Sequence, residues 1–247
     1  RWSLEKSKPS TSRRQKPKIA TNTATNQQKM LQTWVGEMRR KLTEMDLLRC
    51  RFPRRHWEAS VAKASKSVTG CEHTNPPMPW EIGCGYVKKM DVMLKSGVGL
   101  LLWGANGRGK TALAVSIGKE FRRRGSTVLF IECAAVKDIF INKAAFDEDE
   151  TVWRRAQRVD VLILDDLGKG VQDSKGFGAR VIDQLIRHRV SNQKVTFITT
   201  NIDPPRLADE LKISTMHSLK ESIVPVKIIG PDRREACKSE LLQALGV

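Results

Sequence analysis

The chain has no long hydrophobic run, and its cysteines are few and widely spaced. No apolar stretch approaches the roughly 18 residues that a membrane-spanning helix requires, so the sequence predicts no contact with a membrane. The five cysteines are odd in number and include no C-x-x-C pair, which favours reduced thiols over a disulfide framework. A zinc site is an alternative that this spacing does not favour. Its possible ligands would be Cys50, Cys71, His73 and Cys84.

Acidic residues are scarce relative to basic ones. The 247 residues carry a formal net charge of +17, and residues 1–70 alone hold 17 lysines and arginines against five acidic residues. A basic region of this kind predicts binding to nucleic acid or to an acidic protein partner. The alternative is a charge run that serves only solubility.

The first third of the chain is predicted to lie outside the main folded domain. Residues 1–28 have hardly any large apolar side chains and are expected to form a disordered basic arm. Apolar residues then recur at helical spacing from Met30 through Trp34 and Met38 to Leu48, which predicts an amphipathic helix. Its stripe could pack on the protein's own domain or lie in a partner's groove. We therefore expect a partner-binding region and linker over residues 29–75 and an α/β domain over 76–247.

One glycine-rich segment, Gly104–Thr111, reads G-x-x-x-x-G-K-T between an apolar run and a helical pattern. Such a loop directs backbone N–H groups and the start of the next helix at phosphate oxygens. Lys110 would then reach the β- and γ-phosphates of a nucleotide, and Thr111 would bind Mg²⁺. An ordinary glycine-rich turn is the alternative. The residues expected at the nucleotide are Gly104, Asn106, Gly107, Gly109, Lys110, Thr111 and Ala112.

Two carboxylates follow the apolar run Val161–Leu164, which is typical of a buried parallel strand. Ligands of open α/β sheets bind at the carboxyl ends of the strands. Asp165 is therefore predicted to hold Mg²⁺, and Asp166 to orient or deprotonate the attacking water. The alternative is that Asp165 and Asp166 only cap a helix and form a solvent-exposed turn.

A polar residue, Asn201, ends the β-branched run Val195–Thr200. If this strand lies beside the strand of Asp165, the Asn201 amide would sit near the γ-phosphate and hold the hydrolytic water. Pro204 and Pro205 follow closely, so a plain strand-ending turn is the alternative. The predicted catalytic residues are Asp166, Asn201 and Lys110.

These three segments, in this order, resemble the DnaC/IstB branch of the AAA+ ATPases over roughly residues 51–235. The resemblance implies a P-loop NTPase of the α/β class, a three-layer sandwich with a mainly parallel sheet, preceded here by a basic helical region. It implies ATP and Mg²⁺ as cofactors, and Arg233 and Arg234 in the closing segment as further nucleotide contacts. It also implies self-association through the ATPase domains, in the cytoplasm of a bacterial or phage-infected cell.

Members of this family bind single-stranded DNA through helices that precede the strand carrying the carboxylates. By position, the corresponding basic residues here are Lys137, Lys143, Arg154, Arg155 and Arg158. The family's arginine finger is not matched, because Ser218-Leu219 stands where an Arg-Leu pair is expected. Lys220 or Arg206 could substitute, although a lysine does not reproduce the planar guanidinium. ATP hydrolysis is therefore expected to be slow or partner-stimulated.

Three functions compete at this point. The first is a helicase loader that holds a hexameric replicative helicase through the Met30–Leu48 helix and delivers it to single-stranded DNA. The second is an IstB-like transposition regulator that binds duplex DNA and a transposase. The third, a basic adaptor with a decayed ATPase site, is disfavoured because Lys110, Thr111, Asp165 and Asp166 are all present.

Overall fold

The computed structural model describes residues 40–61, 79–142, 151–168, 176–210 and 213–230, with six further positions between 232 and 245. All of them belong to the second of two units, which begins at Arg40. The predicted arm over residues 1–28, the first part of the Met30–Leu48 helix, Lys143 and Arg233 lie outside the described residues. Among the described residues, no helix is long and apolar enough to cross a membrane.

A five-stranded sheet forms the centre of the described unit. Its strands, all β-branched or leucine-rich, are β1 (Gly99–Trp103), β2 (Val128–Glu132), β3 (Val161–Leu167), β4 (Val195–Thr200) and β5 (Ile223–Lys227). Their order is β2-β3-β4-β1-β5, and every pairing is parallel. The glycine-rich loop follows β1 and the carboxylates end β3, so β4 lies between these two chemical elements.

Helices connect the strands and cover both faces of the sheet. They are α1 (Glu44–Arg49), α2 (Pro79–Lys88), α3 (Met90–Ser96), α4 (Lys110–Arg123), α5 (Val136–Ile141), α6 (Val152–Arg158), α7 (Phe177–Ser191), α8 (Pro204–Glu210) and α9 (Ile213–Ser222). Short 3₁₀ turns occupy Arg54–His56 and Cys133–Ala135.

Alternation along the strands divides the core into two apolar layers. In β3, Val161 and Ile163 belong to one buried cluster, whereas Leu162 and Leu164 belong to the other. The first cluster contains the inner face of α4, and the second contains α6 and α7. Side chains of a strand point alternately to opposite faces, so a sheet buried on both sides reads as a continuous apolar run. The predicted three-layer α/β sandwich is confirmed.

The predicted continuous helix from Met30 to Leu48 is wrong at its C-terminal end. Residues 40–43 are not helical, and Thr43 caps a new helix, α1. The Thr43 hydroxyl accepts a hydrogen bond from the backbone of Asp46, while the Asp46 carboxylate accepts one from the backbone of Thr43. This capping box begins a new helix at a position that the apolar periodicity alone placed in the interior of a longer helix.

The buried face of α1 does not follow the apolar stripe. The apolar spacing placed Met45 and Leu48 on the stripe, which was expected either to pack on the protein's own domain or to lie in a partner's groove, and they are 56% and 45% exposed. Leu47 and Asp46 are buried instead. The segment after α1 adds Cys50, Phe52 and Val61 to the cluster that contains α4. The backbone N–H of Phe130 in β2 donates to the Cys50 carbonyl, so this segment lies along the outer edge of β2.

Three C-terminal elements, α8, α9 and β5, have no counterpart among the predicted elements. In β5, Pro225 lies opposite Leu101 of β1. Proline lacks a backbone donor and is tolerated in a sheet at an edge strand, which is the position of β5. On the N-terminal side of β1, Lys89 separates α2 from α3.

Candidate nucleotide-binding and hydrolysis site

The glycine-rich loop connects β1 to α4 through backbone conformations that suit glycine. Gly104, Gly107 and Gly109 have φ angles of 135°, 73° and 88°, which L side chains rarely adopt. A Cβ atom on Gly104 would lie 2.3 Å from the Ile228 carbonyl oxygen, so the loop also packs too closely for a side chain. The chain thus forms a tight cradle at the N-terminus of α4, where backbone donors and the helix dipole favour anions.

Lys110, the first residue of α4, is buried, and its ammonium group is held within the site. It donates to the carbonyls of Gly104 and Ala105, each at 2.8 Å, and to Oδ1 of Asn201 at 2.7 Å. These acceptors fix the cation beside the phosphate cradle. Lys110 and Asn201 are therefore brought together although they are 91 positions apart in the chain.

Asp165 is bound by two hydroxyl groups from neighbouring elements. Its Oδ1 accepts hydrogen bonds from Thr111 Oγ1 at 2.8 Å and from Thr199 Oγ1 at 2.6 Å. Asp165 is 4% exposed, and Thr199 is 1% exposed. The predicted metal pair of Thr111 and Asp165 is thus adjacent, and Thr199 orients the carboxylate from β4.

Asp166 adopts an unusual backbone conformation at the end of β3. Its φ angle is 60°, and the register between β3 and β4 shifts between Leu164 and Leu167. The Asp166 N–H donates to Thr199 Oγ1 at 2.9 Å, and Oδ1 of Asp166 accepts from Asn201 Nδ2 at 3.1 Å. Such strained positions cluster at functional sites. The bulge turns Asp166 toward Asn201 while Asp165 faces Thr111.

These donors fit magnesium and a triphosphate. Mg²⁺ prefers oxygen ligands, and Thr111 and Asp165 present a hydroxyl and a carboxylate oxygen within 2.8 Å of each other. The glycine cradle and Lys110 supply donors and a positive charge for the phosphates. Asp166 and Asn201 lie together on the strand ends beyond the predicted metal pair, where an attacking water can be positioned.

The other predicted nucleotide contacts lie at the border of the cradle. Asn106 is exposed, and Ala112 is half-buried in the first turn of α4. Arg234 is exposed, and its backbone N–H donates to Oδ1 of Asp232 at 2.9 Å. The Asp232 carboxylate lies directly against Gly107, where an added Cβ would come within 1.9 Å of it. The closing segment therefore contacts the glycine-rich loop, through a residue that the sequence did not single out.

Sequence reasoning missed three residues around the carboxylates. Thr199 could have been noticed as a threonine that precedes Asn201 by two positions on the same strand. His56 lies near enough for the Asp165 charge to influence it, although burial first and Arg55 second lower its pKa overall. Burial, together with the charges of Asp165 and Asp166, raises the pKa of the Cys133 thiol. The latter two residues carry no motif that marks them as neighbours of the site.

The predicted DNA-binding residues do not form one group. Arg155 and Arg158, at the end of α6, line a common cavity, whereas Arg154 and Lys137 are not among its lining residues. Arg154 is exposed, and Lys137 is half-buried on α5. The cavity is at the opposite end of the sheet from the nucleotide site, because α6 leads into the first residue of β3.

The region expected to supply an arginine finger lies on α8 and α9. Ser218 is half-buried, and Leu219 beside it is buried. Lys220 is exposed, and the Arg206 side chain is 82% exposed. Both cations are therefore accessible at the surface.

The described cysteines do not support the zinc alternative by themselves. Cys50 and Cys133 are buried, Cys84 is half-buried, and none of the three forms a disulfide among the described residues. Burial raises the pKa of Cys50 to about 11. Within the described ranges, no three His, Cys, Asp or Glu side chains are close enough to share a metal ion. Cys71 and His73 lie outside the described residues.

Comparison with known proteins agrees with this geometry. Residues 92–208 match the family model described as IstB-like ATP binding protein. The replicative helicase loader DnaI of Bacillus subtilis is 25% identical over 150 residues, covering 56% of this chain and 48% of DnaI. The chromosomal replication initiator protein DnaA of Streptococcus agalactiae is 26% identical over 136 residues, covering 54% of this chain. The chain spans only 29% of the length of that DnaA.

Among solved structures, the crystal structure of the DnaC helicase loader has the same fold. Its TM-score is 0.59 at 22% identity, and the match covers 72% of this chain and 100% of the DnaC chain. Residues 92–208, which match the IstB-like family model, contain the glycine-rich loop, both carboxylates and Asn201.

Proposed function

We propose that this protein, whose residues 92–208 match the family model described as IstB-like ATP binding protein, is an ATP-dependent DNA-replication factor of the AAA+ class that loads a replicative helicase onto single-stranded DNA. The observation that carries the proposal is the linked set of Lys110, Asn201 and Asp166 beside the Thr111–Asp165 pair. The sequence similarity to DnaI supports the replication role.

In the proposed mechanism, bound Mg²⁺ would neutralise developing charge on the phosphates of ATP. Thr111 and Asp165 would hold the metal, and the glycine-rich loop with Lys110 would bind the phosphates. Asp166 orients the attacking water and accepts its proton. Asn201 is hydrogen-bonded to both Lys110 and Asp166. It thereby holds the Asp166 carboxylate at a fixed position relative to the glycine-rich loop. Because Ser218 stands where an arginine finger is expected and Lys220 lacks a planar guanidinium, hydrolysis is proposed to be slow until a neighbouring subunit or partner supplies an arginine.

Two substitutions test this chemistry. Lys110→Ala should abolish ATP binding, whereas Asp166→Ala should retain binding and lose hydrolysis. The measurements are binding of a fluorescent ATP analogue and phosphate release. Equal ATP affinity in the wild type and Lys110→Ala would contradict the nucleotide site. Full turnover by Asp166→Ala would remove that residue from the role of base.

The helicase is proposed to bind the N-terminal region that ends in α1. Met45 and Leu48 carry exposed apolar side chains there, which suits a partner's groove. Met45→Ser combined with Leu48→Ser should weaken co-precipitation of a hexameric replicative helicase without lowering the melting temperature. Val92→Ser is the matched control, because Val92 is 60% exposed on α3. Unimpaired binding by the double variant would exclude this surface.

An IstB-like transposition regulator is the second candidate, because the matching family model is described as IstB-like ATP binding protein and the resemblance to that branch implies the transposition role. The two functions differ in DNA form and partner. Helicase delivery to single-stranded circles, measured as ATP-dependent unwinding, would support loading. Filaments on duplex DNA that retain a transposase, with no effect on unwinding, would favour the transposition role.

A further inference from the structure

The chain that follows β5 runs alongside the glycine-rich loop. The backbone N–H of Ile228 donates to the Trp103 carbonyl at 2.7 Å, which continues the pairing of β5 with β1. The Ile228 carbonyl oxygen then lies so close to Gly104 that an added Cβ atom would overlap it. Further along, the Asp232 carboxylate lies equally close to Gly107. The closing segment therefore contacts the loop at Gly104 and again at Gly107.

The second contact places a carboxylate against a loop that is built for anions. The loop and the first turn of α4 direct backbone N–H groups and the positive end of the helix dipole at phosphate oxygens. A negative charge on a side chain that touches this loop repels the phosphates that the loop attracts. Asp232 is half-buried, so water screens this repulsion only in part.

A helix cap accounts for the hydrogen bond of Asp232 but not for its charge. Oδ1 of Asp232 accepts a hydrogen bond from the backbone N–H of Arg234 at 2.9 Å, and Arg234 is helical. Aspartate, asparagine and serine are comparably good N-cap residues, so a neutral side chain would serve here as well. The helix dipole adds only a modest preference for a carboxylate. The partner is a neutral backbone group, so this bond leaves the charge of Asp232 in place.

We propose that Asp232 sets the nucleotide affinity of the site, because its carboxylate repels the phosphates of a bound nucleotide and speeds release of that nucleotide. The proposal rests on the nucleotide site proposed above. Lys110 attracts the same phosphates from the first turn of α4, so the affinity reflects the balance between this cation and Asp232. The weaker hold allows the ADP that remains after hydrolysis to leave without help from a partner.

The test uses the full chain with Asp232→Asn. This change removes the charge and keeps both the size of the side chain and the oxygen that caps Arg234. Asp232→Ser is the second variant, because serine also keeps a capping oxygen. The control, Asp91→Asn, removes the same charge at an exposed position in the first turn of α3. Fluorescent ATP and ADP analogues give the dissociation constants, and a chase with unlabelled nucleotide gives the release rates.

Both Asp232 variants should bind the two analogues about tenfold more tightly, mostly through slower release, because one like charge near the phosphates is removed. The gain should shrink as the salt concentration rises, since salt screens a half-buried carboxylate. The control should keep the affinity of the wild type. Unchanged affinity in the Asp232 variants, or an equal gain in the control, would overturn the proposal. Absence of nucleotide binding by the wild type would instead remove the nucleotide site itself.

Two further measurements identify the group on which the Asp232 carboxylate acts. Inorganic tripolyphosphate, used to displace the ATP analogue, should gain affinity in Asp232→Asn by the same factor as the nucleotide. Replacing Mg²⁺ by EDTA should enlarge the gain, because the metal neutralises part of the phosphate charge. If Asp232→Asn weakens binding only when Mg²⁺ is present, the carboxylate holds the metal and the proposal fails. A gain for nucleotide with none for tripolyphosphate would assign Asp232 to the base or ribose and would overturn it too.

Discussion

The side chain of Asn201 accepts a hydrogen bond from Lys110 through Oδ1 and donates one to Asp166 through Nδ2, at 2.7 and 3.1 Å. One amide therefore joins the phosphate-binding lysine of α4 to the carboxylate at the end of β3. This is possible because β4 lies between β1 and β3 in the sheet. An amide has a donor and an acceptor on two separate atoms, whereas an ionised carboxylate can only accept.

We expect Asn201→Ala to retain ATP binding and to lower kcat for hydrolysis by about 10²-fold, the scale of one positioned catalytic hydrogen bond. Lys110 keeps its two carbonyl acceptors, so phosphate binding survives. Phosphate release under saturating ATP is the measurement. Asn192→Ala, at an exposed asparagine after α7, should hydrolyse ATP at the wild-type rate. A normal kcat in Asn201→Ala would make the amide a structural link only.

Thr199 and Thr200 offer a matched pair on β4, since both are buried and both hydroxyls are hydrogen-bonded. Thr199 bonds Asp165 and Asp166, whereas Thr200 donates to the Leu167 carbonyl at 2.6 Å. We expect Thr199→Val to raise the Mg²⁺ concentration needed for half-maximal hydrolysis, because Asp165 loses the group that orients it. Thr200→Val should cost similar stability, roughly 1–3 kcal/mol, without changing the Mg²⁺ requirement. Equal Mg²⁺ curves in both variants would contradict this assignment.

The fold and the centre of the site were predictable because they depend on local signals. The apolar run that became β3 is typical of a strand buried on both faces, the run that became β4 is rich in β-branched residues, and the glycine, lysine and threonine of the loop have a fixed spacing. The sequence pattern does not specify the order of the strands in the sheet. The hydrogen bond between Lys110 and Asn201 depends on that order, so it could not be derived from the pattern alone. The bulge at Asp166 was also unforeseeable, since a positive φ at aspartate has no sequence marker.

The errors near the N-terminus have a different cause. Apolar periodicity grouped Met45 and Leu48 with the stripe that begins at Met30. The Thr43–Asp46 capping box instead begins a separate helix at Glu44. The apolar spacing also carries no signal that Asp46 is buried. It is buried because two arginines, one of them 76 positions away on α4, bind its carboxylate.

Asp46 should make stability depend on pH in the acid range. The hydrogen bond from Arg40 first, then those from the Thr43 backbone and from Arg122, hold the pKa of this carboxyl well below its usual value of 3.8 despite burial. The folded state therefore binds the proton less readily than the unfolded state, so the stabilisation is full well above pH 3.8 and is lost as pH falls below it. We expect Asp46→Asn to unfold at lower urea than the wild type at pH 7. The gap should narrow as pH falls below about 3.8.

The control for this experiment is Asp91→Asn, at an exposed position in the first turn of α3. Its urea midpoint should follow the wild type at every pH. A gap between wild type and Asp46→Asn that stays constant from pH 7 to about pH 3 would show that lost packing, rather than the charged carboxylate, is responsible.

Arg189 should be the most costly single arginine to replace. It is fully buried near the end of α7, and it donates to the carbonyls of Ala156 and Val159 at 2.7 and 3.0 Å and to that of Val195 at 2.6 Å. It thereby ties the end of α6 to the start of β4. Burial lowers its pKa to about 9, which leaves the guanidinium charged at pH 7.

Arg189→Met leaves these three buried carbonyls without a donor. At about 1–3 kcal/mol for each unsatisfied group, we expect a loss of roughly 3 kcal/mol or more in the free energy of unfolding. For a protein of this size that corresponds to a fall of roughly 6–12 °C in Tm. Arg187→Met is the control, since its side chain is 54% exposed and pairs with Asp183 at 3.6 Å, an interaction worth about 0.5 kcal/mol. Equal Tm values for the two variants would mean that the end of α6 is held by apolar packing alone.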